Sequence, residues 1–533
     1  MTAVAVAVAA VAAARSARNK ISNRLNAMEA PARRFNRLWG CSLIAFLLTF
    51  APLFRGANRP LPLLVLEIGA LALAAHLVWR PDFRDQLSRP LLITLMVLLV
   101  YPLLQLVPLP AGLWSRLPGR DFYAHALTQA NDGRAFESWR AASLVPWATE
   151  FSWLALLPPL TVFLVTVGLP TRQLQFLLKL FVGIAVLQAL LGLLQYGAGS
   201  DSIFQLGSPY CCSSAVGTYI NRDHLAGLLE MALPVGLALF TTTVGQVVAS
   251  SARGYHRHRV WRQRLSKLAA LPINQTAIYG SACIVLLLGL VFTRSRAGIV
   301  LAMVGIFLSM VVFARRLGGR NAYGLIGTLT FIGWGLAMEV GLVPVLSRFT
   351  LAGAIDDARW SIFASTIQAV AYFFPIGSGV GTFQDIYPRF HPPDILFDGI
   401  INRAHNDYLE GFLETGLVGI VLAFALLGFY GRQWHRIWQR GRWSGFRLLQ
   451  AGAGISLLLL ILHSAVDFNL HIPANAIFFA FVAAVFFHRQ RDEPLGAADA
   501  FGLDPSEKTG DKEMPVDVLT RSPLKNVRNP FAD

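Results

Sequence analysis

The sequence predicts an all-α polytopic membrane protein with about twelve transmembrane helices. Three observations carry that reading. The 533 residues are 55% hydrophobic and only 14% charged, with a mean hydropathy of +0.52, which excludes an ordinary soluble domain. Apolar segments of the roughly 20 residues needed to cross a bilayer recur along the chain. Lys and Arg crowd into short loops between alternate segments, as topology determinants do. A net charge of +16 would suggest nucleic acid for a soluble protein. Distributed this way it reads as membrane orientation, and no nucleic-acid partner is expected.

Residues 1–37 form an expected cytoplasmic, basic N-terminal tail. Its Ala/Val-rich run at 2–14 has no basic residue before it and is followed by Arg15, Arg18, Lys20 and Arg24. That order reads as a tail or surface helix, not a cleaved signal. A multi-span domain follows over 38–488, with spans at 38–54, 61–79, 90–107, 151–169, 174–196, 225–249, 276–293, 297–313, 324–344, 406–430, 448–466 and 473–488. A shorter apolar segment at 360–374 reads as an interfacial helix. Residues 489–533 are polar and read as a disordered cytoplasmic tail. With both termini in the cytoplasm, every short inside loop is basic, most densely at Arg253, Arg257, Arg259, Arg262, Arg264 and Lys267.

Two outside loops, 108–150 and 345–405, are too long to be mere connections, and long loops in compact membrane proteins usually carry function. The first holds Trp114, Phe122, Tyr123, Phe136, Trp139 and Trp147, which read mostly as an interfacial belt. The second holds Arg348, Arg359, Arg389, His391 and Arg403, and an adjacent pair, Asp356-Asp357, that reads as a solvated turn. Four cysteines show no metal-ligand or redox spacing. Cys41 and Cys283 read as small packing residues. Cys211 and Cys212 read the same way, with a disulfide between them open if their loop is oxidised.

Four polar islands sit at the ends of long apolar segments: 221–224 (Asn-Arg-Asp-His), 294–296 (Arg-Ser-Arg), 403–407 (Arg-Ala-His-Asn-Asp) and 467–471 (Asp-Phe-Asn-Leu-His). The charge rule puts all four on one face, away from the cytoplasm, where basic residues are disfavoured. Arg222, Arg294 and Arg296 carry planar forks that bind phosphate bidentately and stay charged near a low-dielectric boundary. Taken singly, each could equally snorkel to headgroups. His405 heads a span, where an imidazole can serve as general base near neutral pH; with Asn406 and Asp407 it could instead cap the helix. His224, Asp467, Asn469 and His471 read as supporting groups, since polar side chains this near the membrane interior are costly unless paired. Their spacing matches no compact ligand motif, so neither a metal nor a cofactor is expected.

His405-Asn406, nine residues, then Gly416-Leu417-Val418-Gly419 resembles the H-[NSQ]-x9-G-x-x-G signature of the O-antigen ligases. Segments 221–227, 293–298, 375–383 and 466–475 also resemble the wider O-antigen ligase and polymerase family. The resemblance covers roughly residues 174–488. It implies a GT-C-like, metal-independent glycosyltransferase of the bacterial inner membrane, with its active site facing the periplasm. It implies a donor glycan on undecaprenyl diphosphate, a glycan or lipid acceptor, and other polysaccharide assembly proteins as partners. Arg222 and Arg296 match the family's diphosphate-binding arginines, and His405 matches its proposed base. Arg359 matches a further basic residue of the large loop more loosely. Segments 221–227 and 466–475 look most like polymerases of exopolysaccharide or O-antigen. The alternatives are ligation to lipid A core, transfer to a protein hydroxyl, and, outside catalysis, a lipid-linked glycan transporter.

Overall fold

Helix caps, not spans, decide where the polar residues of this chain end up. The computed structural model describes residues 38–79, 82–132, 134, 138–198, 214–252, 275–317, 353–392, 400–439 and 443–489. Over them run α1 (Leu38–Phe50), α2 (Pro60–Trp79), α3 (Phe83–Gln86), α4 (Arg89–Gln105), β1 (Pro108–Leu109), α5 (Ala111–Trp114), α6 (Asp121–Ala130), β2 (Arg140–Ala141), α7 (Pro146–Val167), α8 (Thr171–Ala198) and α9 (Arg222–Ala252). Then come α10 (Gln275–Thr293), α11 (Arg296–Leu317), α12 (Gly353–Phe373), α13 (Phe383–Ile386), α14 (Asp407–Gln439), α15 (Gly445–His463) and α16 (Pro473–Phe487).

Among the described residues eight helices are long and apolar enough to span a membrane: α2, α7 to α11, α14 and α15. Three shorter apolar helices, α1, α4 and α16, occupy three more of the expected spans. The chain is an all-α, multi-pass membrane protein. The expected span at 324–344, the tails 1–37 and 490–533, the basic run 253–267, Phe136, Cys211, Cys212 and Arg348 lie outside the described residues. Cys41 and Cys283 are buried thiols within the bundle.

α9 is the central post. Its spanning window is 94% buried, against 22% for α2 and α14, which face outward. It packs on α8, α10, α11 and α15. Small residues permit the approach: a Cβ on Gly452 of α15 would lie 2.8 Å from the Pro234 carbonyl of α9, the close backbone contact that membrane helices use where hydrophobicity cannot drive association.

α14 is not the uninterrupted span expected at 406–430. Gly416 breaks it with φ 57° and ψ −135°. A Cβ there would sit 2.1 Å from the Pro375 carbonyl, and Leu417 N–H donates to that carbonyl at 2.8 Å. The glycine-rich turn after α12 docks into this break. Its N–H groups are committed to neighbouring segments: Ser378 donates to Leu413 O, Gly379 to Glu414 O, and Val380 to Gln105 Oε1. Its role is to join α4, α14 and the first long loop.

Two expectations change here. The Asp356-Asp357 pair lies within α12, not in a turn. The loop at 108–150 is folded rather than a simple aromatic belt: β1 pairs antiparallel with β2, and Trp114 is buried and donates Nε1–H to Ala141 O at 2.8 Å. Arg120 is fully buried and donates to Gly377 O at 3.1 Å, pinning this loop to the glycine-rich turn. Trp139 and Trp147, at 66% and 59% exposure, keep the character of interfacial residues.

Candidate functional site

The first three islands coincide with helix starts because they contain the caps, and the fourth lies just before α16. Asn221 Oδ1 accepts from Asp223 N at 3.0 Å at the head of α9. Ser295 Oγ accepts from Gly298 N at 3.2 Å at the head of α11. Asn406 Oδ1 accepts from Tyr408 N and Leu409 N, each at 3.0 Å, at the head of α14. Pro473 opens α16, where a missing N–H costs nothing. Asn406 is therefore a helix cap, and its Nδ2 also ties Ala465 O at 2.8 Å.

Asp467 is the centre of the cluster. It is 1% exposed, with His405 Nδ1 3.4 Å from Oδ1 and His224 Nε2 3.8 Å from Oδ2. Phe468 turns its ring edge-on to both imidazoles, with centroids 4.7 Å from His224 and 5.0 Å from His405. Burial alone would raise the Asp467 carboxyl. The hydrogen bond with His405 and the neighbouring histidines override burial and hold it well below the ordinary carboxylate range. With Nδ1 directed at Asp467, Nε2 is the His405 nitrogen left for chemistry.

Asn469 and Asn475 stitch this loop to α9. Asn475 Nδ2 donates to His224 O and to Asn469 Oδ1, both at 2.9 Å, and Asn475 Oδ1 accepts from Tyr219 at 3.0 Å. A Cβ on Gly227 would lie 2.4 Å from Asn469 Oδ1, which is why the Asn221 motif ends in glycine.

His471 belongs to a second knot. Its Nδ1 meets Asp407 Oδ1 at 2.6 Å and its Nε2 meets Glu410 Oε1 at 3.3 Å. Burial disfavours its cation, yet the Glu410 and Asp407 carboxylates raise its pKa above the usual histidine value. Glu410, fully buried, also takes Arg403 Nη1 at 2.7 Å and Ala404 N–H at 2.9 Å. Arg403 is thus committed to an ion pair. The knot clamps the residues on both sides of His405, whose φ is +52°. Left-handed backbone is uncommon for a side-chain-bearing residue and persists where surroundings enforce it.

The arginines frame the same end. A Cβ on Gly298 would lie 2.6 Å from Ala226 Cβ, so the first turns of α11 and α9, bearing Arg296 and Arg222, are neighbours. Arg222 makes no hydrogen bond or ion pair to the described residues. Arg294 also holds a left-handed φ, +55°, and donates Nη2–H to the Tyr196 hydroxyl at 3.1 Å while lying over that ring. Arg359, from α12, reaches Asp223 Oδ2 at 3.9 Å and Val466 O at 3.5 Å. It thereby joins the first and fourth islands.

Glu410, Glu414 and the buried pair His463–Glu230, 3.0 Å apart, were not singled out from the sequence. A signal existed. Asp407, Glu410 and Glu414 recur at helical spacing inside an apolar span, where a carboxylate is expensive.

The described residues form a multi-span helical bundle with one polar end that carries arginines and histidines. Residues 281–424 match the model of the Wzy_C family, O-Antigen ligase, a match that supports a place in the O-antigen ligase and polymerase family and a glycosyltransferase-type role in polysaccharide processing. The matched stretch runs from α10 through Arg296, Arg359 and His405 to the Gly416 break, and leaves Arg222 and Asp467 outside it. No curated protein matches the chain.

Proposed function

We propose that this protein is a metal-independent polysaccharide polymerase of exopolysaccharide or O-antigen, working at the periplasmic face of the bacterial inner membrane. It moves a glycan from undecaprenyl diphosphate to an acceptor hydroxyl. The observation that supports this most is the Asp467–His405 pair set among arginines at an end where α9, α11, α14 and α16 all begin. The arginines there, at the heads of α9 and α11 and on α12, carry forks suited to a diphosphate.

In this reading His405 Nε2 takes the acceptor hydroxyl proton as the oxygen attacks the anomeric carbon. The bond from that carbon to the diphosphate oxygen breaks, and its electron pair leaves with the diphosphate. Arg222, Arg296 and Arg359 receive the developing charge, the work a metal does elsewhere. Direct attack inverts the anomeric centre. Arg294, His224, Asn406, Asn469 and His471 support this arrangement by holding helix ends and side chains in place.

The test is turnover by purified protein with a synthetic lipid-diphosphate oligosaccharide, with and without lipid A core. Chain extension without core, unchanged by EDTA, is the expected result. Product only with core would make the protein a ligase, and loss with EDTA restored by magnesium would overturn the arginine reading. Lipid flipping without any new glycosidic bond would make it a transporter.

Orientation is tested separately. In a background with Cys211 and Cys212 replaced by serine, a cysteine replacing Trp139 is expected to react with an impermeant maleimide in spheroplasts, and one replacing Gln439 only after permeabilisation. The reverse pattern would place the site on the wrong face.

A further inference from the structure

At the end of α14 remote from His405, roughly 40 Å along the helix, Arg432, Arg436 and Arg489 line one shallow, open hollow. Among the described residues no carboxylate lines it, and Arg432 and Arg489 act on Arg436 as like charges. Three cations sharing a concavity repel each other unless an anion joins them. Their placement is built rather than incidental. Gln86 Oε1 accepts Arg489 N–H at 2.8 Å, and Gln433 Nε2, on the turn between Arg432 and Arg436, donates to Phe486 O at 2.7 Å. The hollow is thus held by the α3–α4 junction, α14 and the end of α16. Ser88, on its wall, occupies the N-cap position of α4, but its hydroxyl makes no cap hydrogen bond.

The remaining wall is apolar, formed by Leu91, Phe429 and Phe487. It lies beside α14, whose spanning window is only 22% buried and so faces lipid. A small hydrated anion would gain nothing from that wall; a phosphate carrying acyl chains would use both parts.

We propose that this hollow is a binding site for the phosphate headgroup of an anionic phospholipid, with the acyl chains laid against the α14 side. Arginine forks take phosphate oxygens bidentately, and basic pockets between helix ends at a membrane face suit anionic headgroups. The site is independent of glycan transfer, so its test does not involve turnover.

Purified protein in neutral detergent is titrated with phosphatidylglycerol, phosphatidylcholine or inorganic phosphate, and bound lipid is read by native mass spectrometry. Phosphatidylglycerol is expected to bind and the other two are not. Arg432→Gln/Arg436→Gln/Arg489→Gln together are expected to weaken that binding roughly 100-fold. If the triple variant does not purify as a monodisperse protein, Arg436→Gln alone, at an exposed helix end, is expected to weaken it roughly fivefold. Undiminished phosphatidylglycerol binding in the variants, equal binding of phosphatidylcholine, or displacement of the lipid by millimolar phosphate would overturn the proposal.

Discussion

Replacing either Arg222 or Arg296 with alanine is expected to reduce glycan transfer by roughly 1,000-fold while the protein still inserts and purifies as a single species. The expectation rests on what each arginine does in the fold. Arg222 makes no hydrogen bond or ion pair to the described residues, so its loss leaves no buried carboxylate stranded. Arg296 is the first residue of α11, whose cap is Ser295, not the arginine. Neither replacement removes a helix cap, and insertion and monodispersity of each variant separate lost chemistry from lost folding. The effect is expected in kcat more than in KM, because charge on the leaving diphosphate grows on the way to the transition state. Lysine is expected to fail at one or both positions, since a point charge cannot reproduce a fork on two phosphate oxygens. Wild-type turnover in both lysine variants would reduce these residues to headgroup contacts.

That the arginines could be found without a structure follows from the membrane itself. A bilayer makes polar residues expensive inside spans and biases basic ones to one face, so a small set of exceptions stands out. All four islands were exceptions of that kind, and each proves to lie at a helix start or between two helix ends. What lay beyond the sequence was pairing across distance. Nothing local links Asp467 with both His224 and His405, or Glu230 with His463 across 233 positions. The Gly416 break was hidden because its cause, the Pro375 carbonyl, comes from another segment. Glu410 reads as one polar residue in an apolar run until Arg403, Ala404 and His471 are seen to converge on it. The folding of the loop at 108–150 was invisible for a related reason: its anchor, buried Arg120, bonds to backbone carbonyls, which carry no sequence signature.

His405→Ala is expected to lower turnover by roughly 100-fold, the scale of a lost general base, with donor binding little changed because the arginines hold the diphosphate. The orienting carboxylate of Asp467 keeps its charge across the working range. Its folded pKa is depressed, so its ionised, orienting form is fully present above the unfolded carboxylate value of about 3.9. That form is lost only as pH falls through the lower folded value. Between pH 5 and 8 the carboxylate therefore stays charged. Asp467→Asn is expected to lower kcat with the donor KM nearly unchanged, since an amide can still touch Nδ1 but no longer favours an imidazolium formed during proton transfer. The competing idea is that His405 matters only as the left-handed residue entering α14. Asparagine separates the two, because it tolerates that backbone better than most residues yet carries no base. Since Asn406, not His405, supplies the cap of α14, His405→Asn should fold and insert normally. If such protein transfers glycan at close to the wild-type rate, His405 is not the base, and the proton must leave by another route.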